Sequence, residues 1–290
     1  QNPPDGVIVT YYLKEQPEGE IKLSFLDASG QEIKSFSSEE AQADTQKEGE
    51  AKKNGNKEPR LSKEAGINRF VWNMRYPNPT RVEQGFMGGE NVLVGPVAAP
   101  DTYQVQLVIG DQNYTASFEI QKDPRVQATQ QDLEAQFTLL LRIRDKLSET
   151  HEAITTLRDI RQQIEQWEQR TQESEQHDAI VDAGKAVKEK LAAIEEELIQ
   201  VKAKTRQDTL NYPAKLNAKL AALTGIVASA DAAPTEQAYD LFGHLAAQVQ
   251  LYTGQLQEYI DTDLTAFNKL IRESELPAVL PPVLSKHQKD

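Results

Sequence analysis

The spacing of apolar residues changes once along this chain of 290 residues, and that change limits the fold more than any single motif does. Up to residue 122 the period is two. Val7, Val9, Tyr11 and Leu13 alternate with their neighbours, and so do Ile21, Leu23 and Phe25. Tyr103, Val105, Leu107 and Ile109 form a third series, and Tyr114, Ala116, Phe118 and Ile120 a fourth. Residues two apart share one face of a strand, so each series predicts a half-buried β-strand. Asp27–Gly30 ("DASG") and Gly110–Asn113 ("GDQN") supply the turns. Six or seven short strands separated by turns predict an antiparallel β-sandwich over 1–124.

From Thr129 the period becomes that of helices. The first series is Leu133, Phe137, Leu140, Ile143, Leu147, Ile154, Leu157, Ile164 and Trp167, with Thr129 and Asp132 as its N-terminal cap. The second is Ile180, Val187, Leu191, Ile194, Leu198 and Val201, ended by Pro213. Ala214–Ala228 reads as a shorter helix. The last helix starts near Thr235, carries Leu241, Leu245, Val249, Tyr252, Leu256, Ile260, Leu264, Phe267 and Leu270, and stops at Pro277. Three long amphipathic helices bury their stripes most simply against one another, as an elongated antiparallel three-helix bundle with one interrupted corner. The predicted division is therefore α+β: a sandwich at 1–124, a bundle at 125–275 and an extended Pro-rich tail at 276–290. Pro124 marks the joint. Between strands, the polar segment at about 39–60 lacks apolar side chains larger than Ala until its end, and is expected to form a mobile loop.

"GINRFVWNMRYPNPT" (Gly66–Thr80) puts Phe70, Trp72, Met74 and Tyr76 on one strand face and Arg69, Val71, Asn73 and Arg75 on the other. Such a face serves either as a carbohydrate platform or as core. The remaining strands supply mostly Val, Leu and Ile, so the core reading is preferred. Phe70, Trp72, Met74, Tyr103 and Phe118 are the expected structural core.

Chemistry is sparse. With no cysteine the chain has no disulfide, thiolate or Cys-zinc site. His151, His177, His244 and His287 make no metal-ligand spacing, and no G-x-S-x-G occurs. His151 lies near the apolar stripe of its helix, as a polar layer residue would. Neither a cofactor nor a metal is expected. Residues 1–124 hold 19 acids and 13 bases and residues 125–290 hold 26 and 19, so the net charges are −6 and −7, together −13. No basic half is available to neutralise phosphates, which disfavours nucleic acid as a partner. The acids read as solvated helix surface, "EEE" at Glu195–Glu197 included. No apolar run is long enough for a membrane span. The chain starts at Gln1 rather than Met, as a processed or excised chain would. Gly85–Pro96 ("GFMGGENVLVGP") lacks the Lys-Ser/Thr of a phosphate loop but carries Phe86 and Met87 in polar surroundings. Phe86, Met87, Arg75 and Arg81 are the candidate binding residues. No catalytic residue is named.

Four segments, "NPPDGVIVTYYLK", "GINRFVWNMRYPNPT", "GPVAAPDTYQVQLVIGDQNYTASFEIQKDPRV" and "TQQDLEAQFTLLLRIRDKLSE", occur in an order that resembles the C-terminal region of secreted bacterial sortilin-like, BNR-repeat β-propeller proteins of glycosyl hydrolase (sialidase-like) type. The likeness covers about residues 2–165. The sandwich part is similar to the Ig-like domain of flagellar hook-capping proteins, akin to fibronectin type III. The resemblance implies an N-terminal propeller as partner in the parent chain and a periplasmic or secreted location. The propeller's Asp-box is not found here. The expected role is a non-catalytic accessory module. The alternatives are a module that binds a protein or glycan through Gly85–Pro96, and a glycoside hydrolase with its acids in the domain cleft.

Overall fold

A computed structural model describes residues 4–39, 59–82, 93–203 and 205–274. The polar segment, its flanks excepted, and the Pro-rich tail thus lie outside the described residues. The chain is α+β. Among the described residues six strands come first: β1 (Val7–Leu13), β2 (Ile21–Leu26), β3 (Glu32–Ser37), β4 (Gly66–Trp72), β5 (Asp101–Ile109) and β6 (Gln112–Ile120). They form two antiparallel sheets, one of order β1-β4 and one of order β3-β2-β5-β6. Two compact units divide the chain. The first comprises Gln1–Pro79, Leu93–Arg144 and Val227–Thr235; the second comprises Thr80–Val92, Asp145–Ile226 and Glu236–Asp290. Their division falls within the first helix, twenty residues after the joint read at Pro124.

Both sheets contribute to one core. Phe70 and Trp72 point inward from β4, and Trp72 is fully buried. Its indole stacks on Phe25 of β2 with ring centroids 4.4 Å apart, and Phe70 meets Phe36 of β3 at 4.6 Å. Tyr103 is buried beside Phe118, and its hydroxyl donates to the Ala99 carbonyl at 2.7 Å. The Asp27–Gly30 turn closes as its residue types predict. The Asp27 carboxylate accepts from the backbone N–H of Ser29 and of Gln31, and Gly30 takes a φ of 85° that glycine adopts without strain.

Two expectations for the strands need correction. The first is that alternation continues to Tyr76. β4 instead stops at Trp72, because Asn73 accepts the Arg75 N–H in an Asx turn and Met74 turns left-handed at φ 56°. Pairing resumes with the bridge between Arg75 and Val97. Met74 and Tyr76 still pack on the core, half-buried, and the Tyr76 ring meets Phe137 edge-on at 4.9 Å. The second is that β6 returns four residues to the core. Only Phe118 and Ile120 are half-buried; Ala116 is exposed and Tyr114 is 54% exposed. A sheet of two strands does not cover the whole face of a sheet of four.

The helices are α1 (Gln130–Arg170), α2 (His177–Leu198), α3 (Leu216–Val227), α4 (Glu236–Tyr259) and α5 (Thr265–Glu273). At the start of α1 Thr129 and Asp132 exchange hydrogen bonds as a capping box does. Leu133, Leu140, Ile143, Leu147, Ile154, Leu157 and Ile164 are buried along it. α2 buries Ile180, Val187, Leu191, Ile194 and Leu198 but stops before Pro213 is reached. Ile199 is extended there and places its side chain in the core, while Val201 is 40% exposed. On α4 it is Phe242 that is buried and Leu241 that is exposed. A π turn at Ile260–Leu264 links α4 to α5 and shifts the phase, so that Phe267 and Ile271 face inward rather than Leu270. No described helix is long and apolar enough to cross a membrane.

Candidate functional site

The residues chosen from the sequence separate into buried, engaged and exposed groups. Phe70, Trp72 and Tyr103 are buried, and Met74 and Phe118 are half-buried against them. Phe86 and Met87 lie outside the described residues. Arg75 is half-buried, and its guanidinium donates to the Gly95 carbonyl at 2.9 Å. The Gly95 N–H donates to the Asn78 side chain, and Tyr76 N–H to Pro96 O. A Cβ on Gly95 would collide with the Tyr76 carbonyl oxygen, so glycine is needed for this close approach. Arg75 thus fastens one backbone segment to another instead of presenting its charge to a ligand. Arg81 is exposed.

In the second unit Thr80 is held by α1 at three points. Its N–H donates to the Ser148 hydroxyl at 3.1 Å, its hydroxyl donates to Glu152 at 3.0 Å, and its carbonyl lies 2.6 Å from His151 Nδ1. A carbonyl only accepts, so Nδ1 carries the proton. His151 is fully buried, and Nε2 has no hydrogen-bond partner. Burial disfavours the imidazolium and, despite the Thr80 carbonyl, holds the pKa below the ordinary histidine value. His151 is thereby neutral and fixed in one tautomer, which suits a polar layer in a helix stripe.

A buried polar cluster joins α1 to α2. Glu195 is buried at 5% exposure. Its two oxygens accept from Arg158 Nε at 2.6 Å and from Arg161 Nη1 at 2.5 Å. Beside it opens a concavity of about 460 Å³ lined by Arg158, Arg161, Gln162, Glu165, Glu195 and Gln200. Contrary to the reading of the "EEE" run as solvated surface, Glu195 is buried, whereas Glu196 and Glu197 are exposed. Glu195 falls four residues after Leu191 and next to Ile194, on the margin of the apolar stripe, which is the sequence signal for its burial. Its arginine partners lie 37 and 34 positions away, so no local pattern reveals them.

A general acid or base needs an oxygen or nitrogen within reach of a substrate proton. Both Glu195 oxygens are occupied by guanidinium N–H groups, and Gln200 donates to the Pro213 carbonyl. Lys188 and Glu168 pair at 2.7 Å, another contact between α2 and α1. Among the described residues no group of three or more His, Cys, Asp or Glu side chains is placed to hold a metal ion. The charged side chains that converge here hold helices together. Comparison with family models, with curated proteins and with solved structures returned no match.

Proposed function

We propose that this chain is a non-catalytic accessory module of a secreted, BNR-repeat, glycosyl hydrolase-like protein, and that it supports or presents the parent's β-propeller outside the cytoplasm. The reading rests on the disposal of the large side chains. Phe70, Trp72 and Tyr103, the residues best suited to a ligand platform, lie in the core, and Trp72 is 0% exposed. Arg75, Glu195, Arg158 and Arg161 are engaged with neighbours in the fold.

The first unit is read as an Ig-like sandwich of fibronectin type III kind. Two features support this. The order β3-β2-β5-β6 is that of a C′-C-F-G sheet, and β1-β4 that of a B–E pair. Tyr103, near the start of the strand in the F position, bonds back to Ala99 in the manner of a tyrosine corner. The helices are read as a three-helix bundle of α1, α2 and the α4–α5 rod. Its supports are the α1–α2 ion pairs, the burial of apolar stripes on all three, and the Lys190–Asp263 pair between α2 and the π turn.

Incubation of the purified chain with chromogenic sialosides and glucosides, and a glycan array, test the role. No turnover and no glycan retained above background are expected. Hydrolysis that tracks the purified protein overturns the reading. Asp-box repeats encoded upstream of Gln1 are the expected genomic context.

A further inference from the structure

The two edges of the four-stranded sheet are built differently. β3, at one edge, is short, carries Glu32 and Lys34, and meets β2 through a register shift at Phe25/Leu26. Charges and irregular register are the ordinary means of keeping a free edge from pairing. β6, at the other edge, runs nine residues in unbroken register with β5. It has no proline, no lysine and one charge, Glu119. Among the described residues no strand pairs with its outer side. Six consecutive residues, Gln112–Ser117, are exposed, and Tyr114 is 54% exposed on the face that elsewhere makes core.

We propose that β6 is a self-association edge, pairing antiparallel with β6 of a second copy about a two-fold axis at Ala116. The sequence of β6 fits itself in that register. Tyr114 falls opposite Phe118 of the copy, Thr115 opposite Ser117, and Asn113 opposite Glu119. Aromatic pairs and hydroxyl pairs stabilise antiparallel neighbours, and no like charges oppose each other within the strand. An even shift keeps side chains on their faces, so both core faces stay on one side of the joined sheet. The occupant is a second copy of this chain, and the contact is isologous.

Sedimentation equilibrium from micromolar to hundreds of micromolar tests this on the full chain. A concentration-dependent dimer is expected. Thr115→Lys with Ser117→Lys sets like charges opposite one another twice across the axis and weakens dimerisation by about tenfold or more. Thr115→Lys with Ser117→Glu sets opposite charges there and restores it. All these side chains are exposed, and an unchanged circular dichroism spectrum verifies that the variants fold. A monomer at every concentration overturns the proposal, as does a dimer indifferent to the Lys/Lys pair or one that the Lys/Glu pair fails to restore.

Discussion

The first unit and the second solve the same problem with different materials. The core of the first is aromatic. Phe25, Phe36, Phe70, Trp72, Tyr103 and Phe118 meet ring to ring, and among the described residues of this unit only Ser24 and Asn68 are buried polar side chains. The second unit is packed with aliphatic stripes and, among the described residues, buries a larger set of polar side chains, a paired carboxylate included. Glu195, His151, Thr150, Thr171 and Asn217 are all buried there. Aromatic cores respond to lost volume, whereas buried ionic layers respond to lost partners and to pH. The two tryptophans fall one to each unit, Trp72 in the first and Trp167 in the second, so fluorescence can follow both.

The largest effect is expected from Trp72→Ala. The indole is fully buried and stacked, so its removal destabilises the first unit by about 3–5 kcal/mol. Denaturant unfolding followed at Trp167 and by helical circular dichroism should show the second unit moving much less. Equal shifts in both would erase the contrast. Next comes Glu195→Ala, which removes the carboxylate that Arg158 and Arg161 share. Removing one member of a fully buried pair costs about 3–5 kcal/mol, but these arginine side chains are 28% and 33% exposed, so a loss of about 2 kcal/mol is expected. Here the second unit should respond, and the Trp72 signal should stay in place.

Gly184→Ala sharpens the comparison within the helices. A Cβ at that position would stand 2.6 Å from Glu168 Oε1, 2.8 Å from Ile164 and 3.4 Å from Phe267, where α1, α2 and α5 converge. Overpacking of this kind costs about 1–3 kcal/mol, read as a fall in the midpoint of the second unit. The smallest effect is that of His151. Its folded pKa is depressed below the unfolded value, so its contribution is complete above about pH 6.5 and is lost as pH falls through the folded pKa. Stability of the second unit should decline below pH 6.5 with a slope of at most about 1.4 kcal/mol per pH unit. His151→Gln should flatten that slope between pH 7 and 5, while the first unit shows no matching step in that window.

The strands and helices were legible in the sequence because each buries one face, and a buried face leaves a period. Thr129 with Asp132 and the "DASG" turn were legible because capping and turn chemistry act within a few residues. What the period hides is phase. Leu241 and Phe242 are neighbours, and both fit a helix stripe; packing chose Phe242. The π turn, the extended Ile199 and the left-handed Met74 are local departures that no apolar series announces. The same holds for the candidate residues. Arg75 has the charge of a ligand-binding residue, yet its partner is the carbonyl of Gly95, twenty positions on. Glu195 resembled its solvated neighbours until Arg158 and Arg161 were brought to it by folding.

α1 belongs to both units, with its residues to Arg144 counted in the first and those from Asp145 in the second. Within the first, Phe137 abuts Tyr76, and the Gln136 amide donates to the Val227 carbonyl. Cutting the chain at Pro124 would therefore take Phe137 away from Tyr76 and open more of that half-buried ring to solvent. A genetic dissection of this protein is better guided by the helix that enters both units than by the proline.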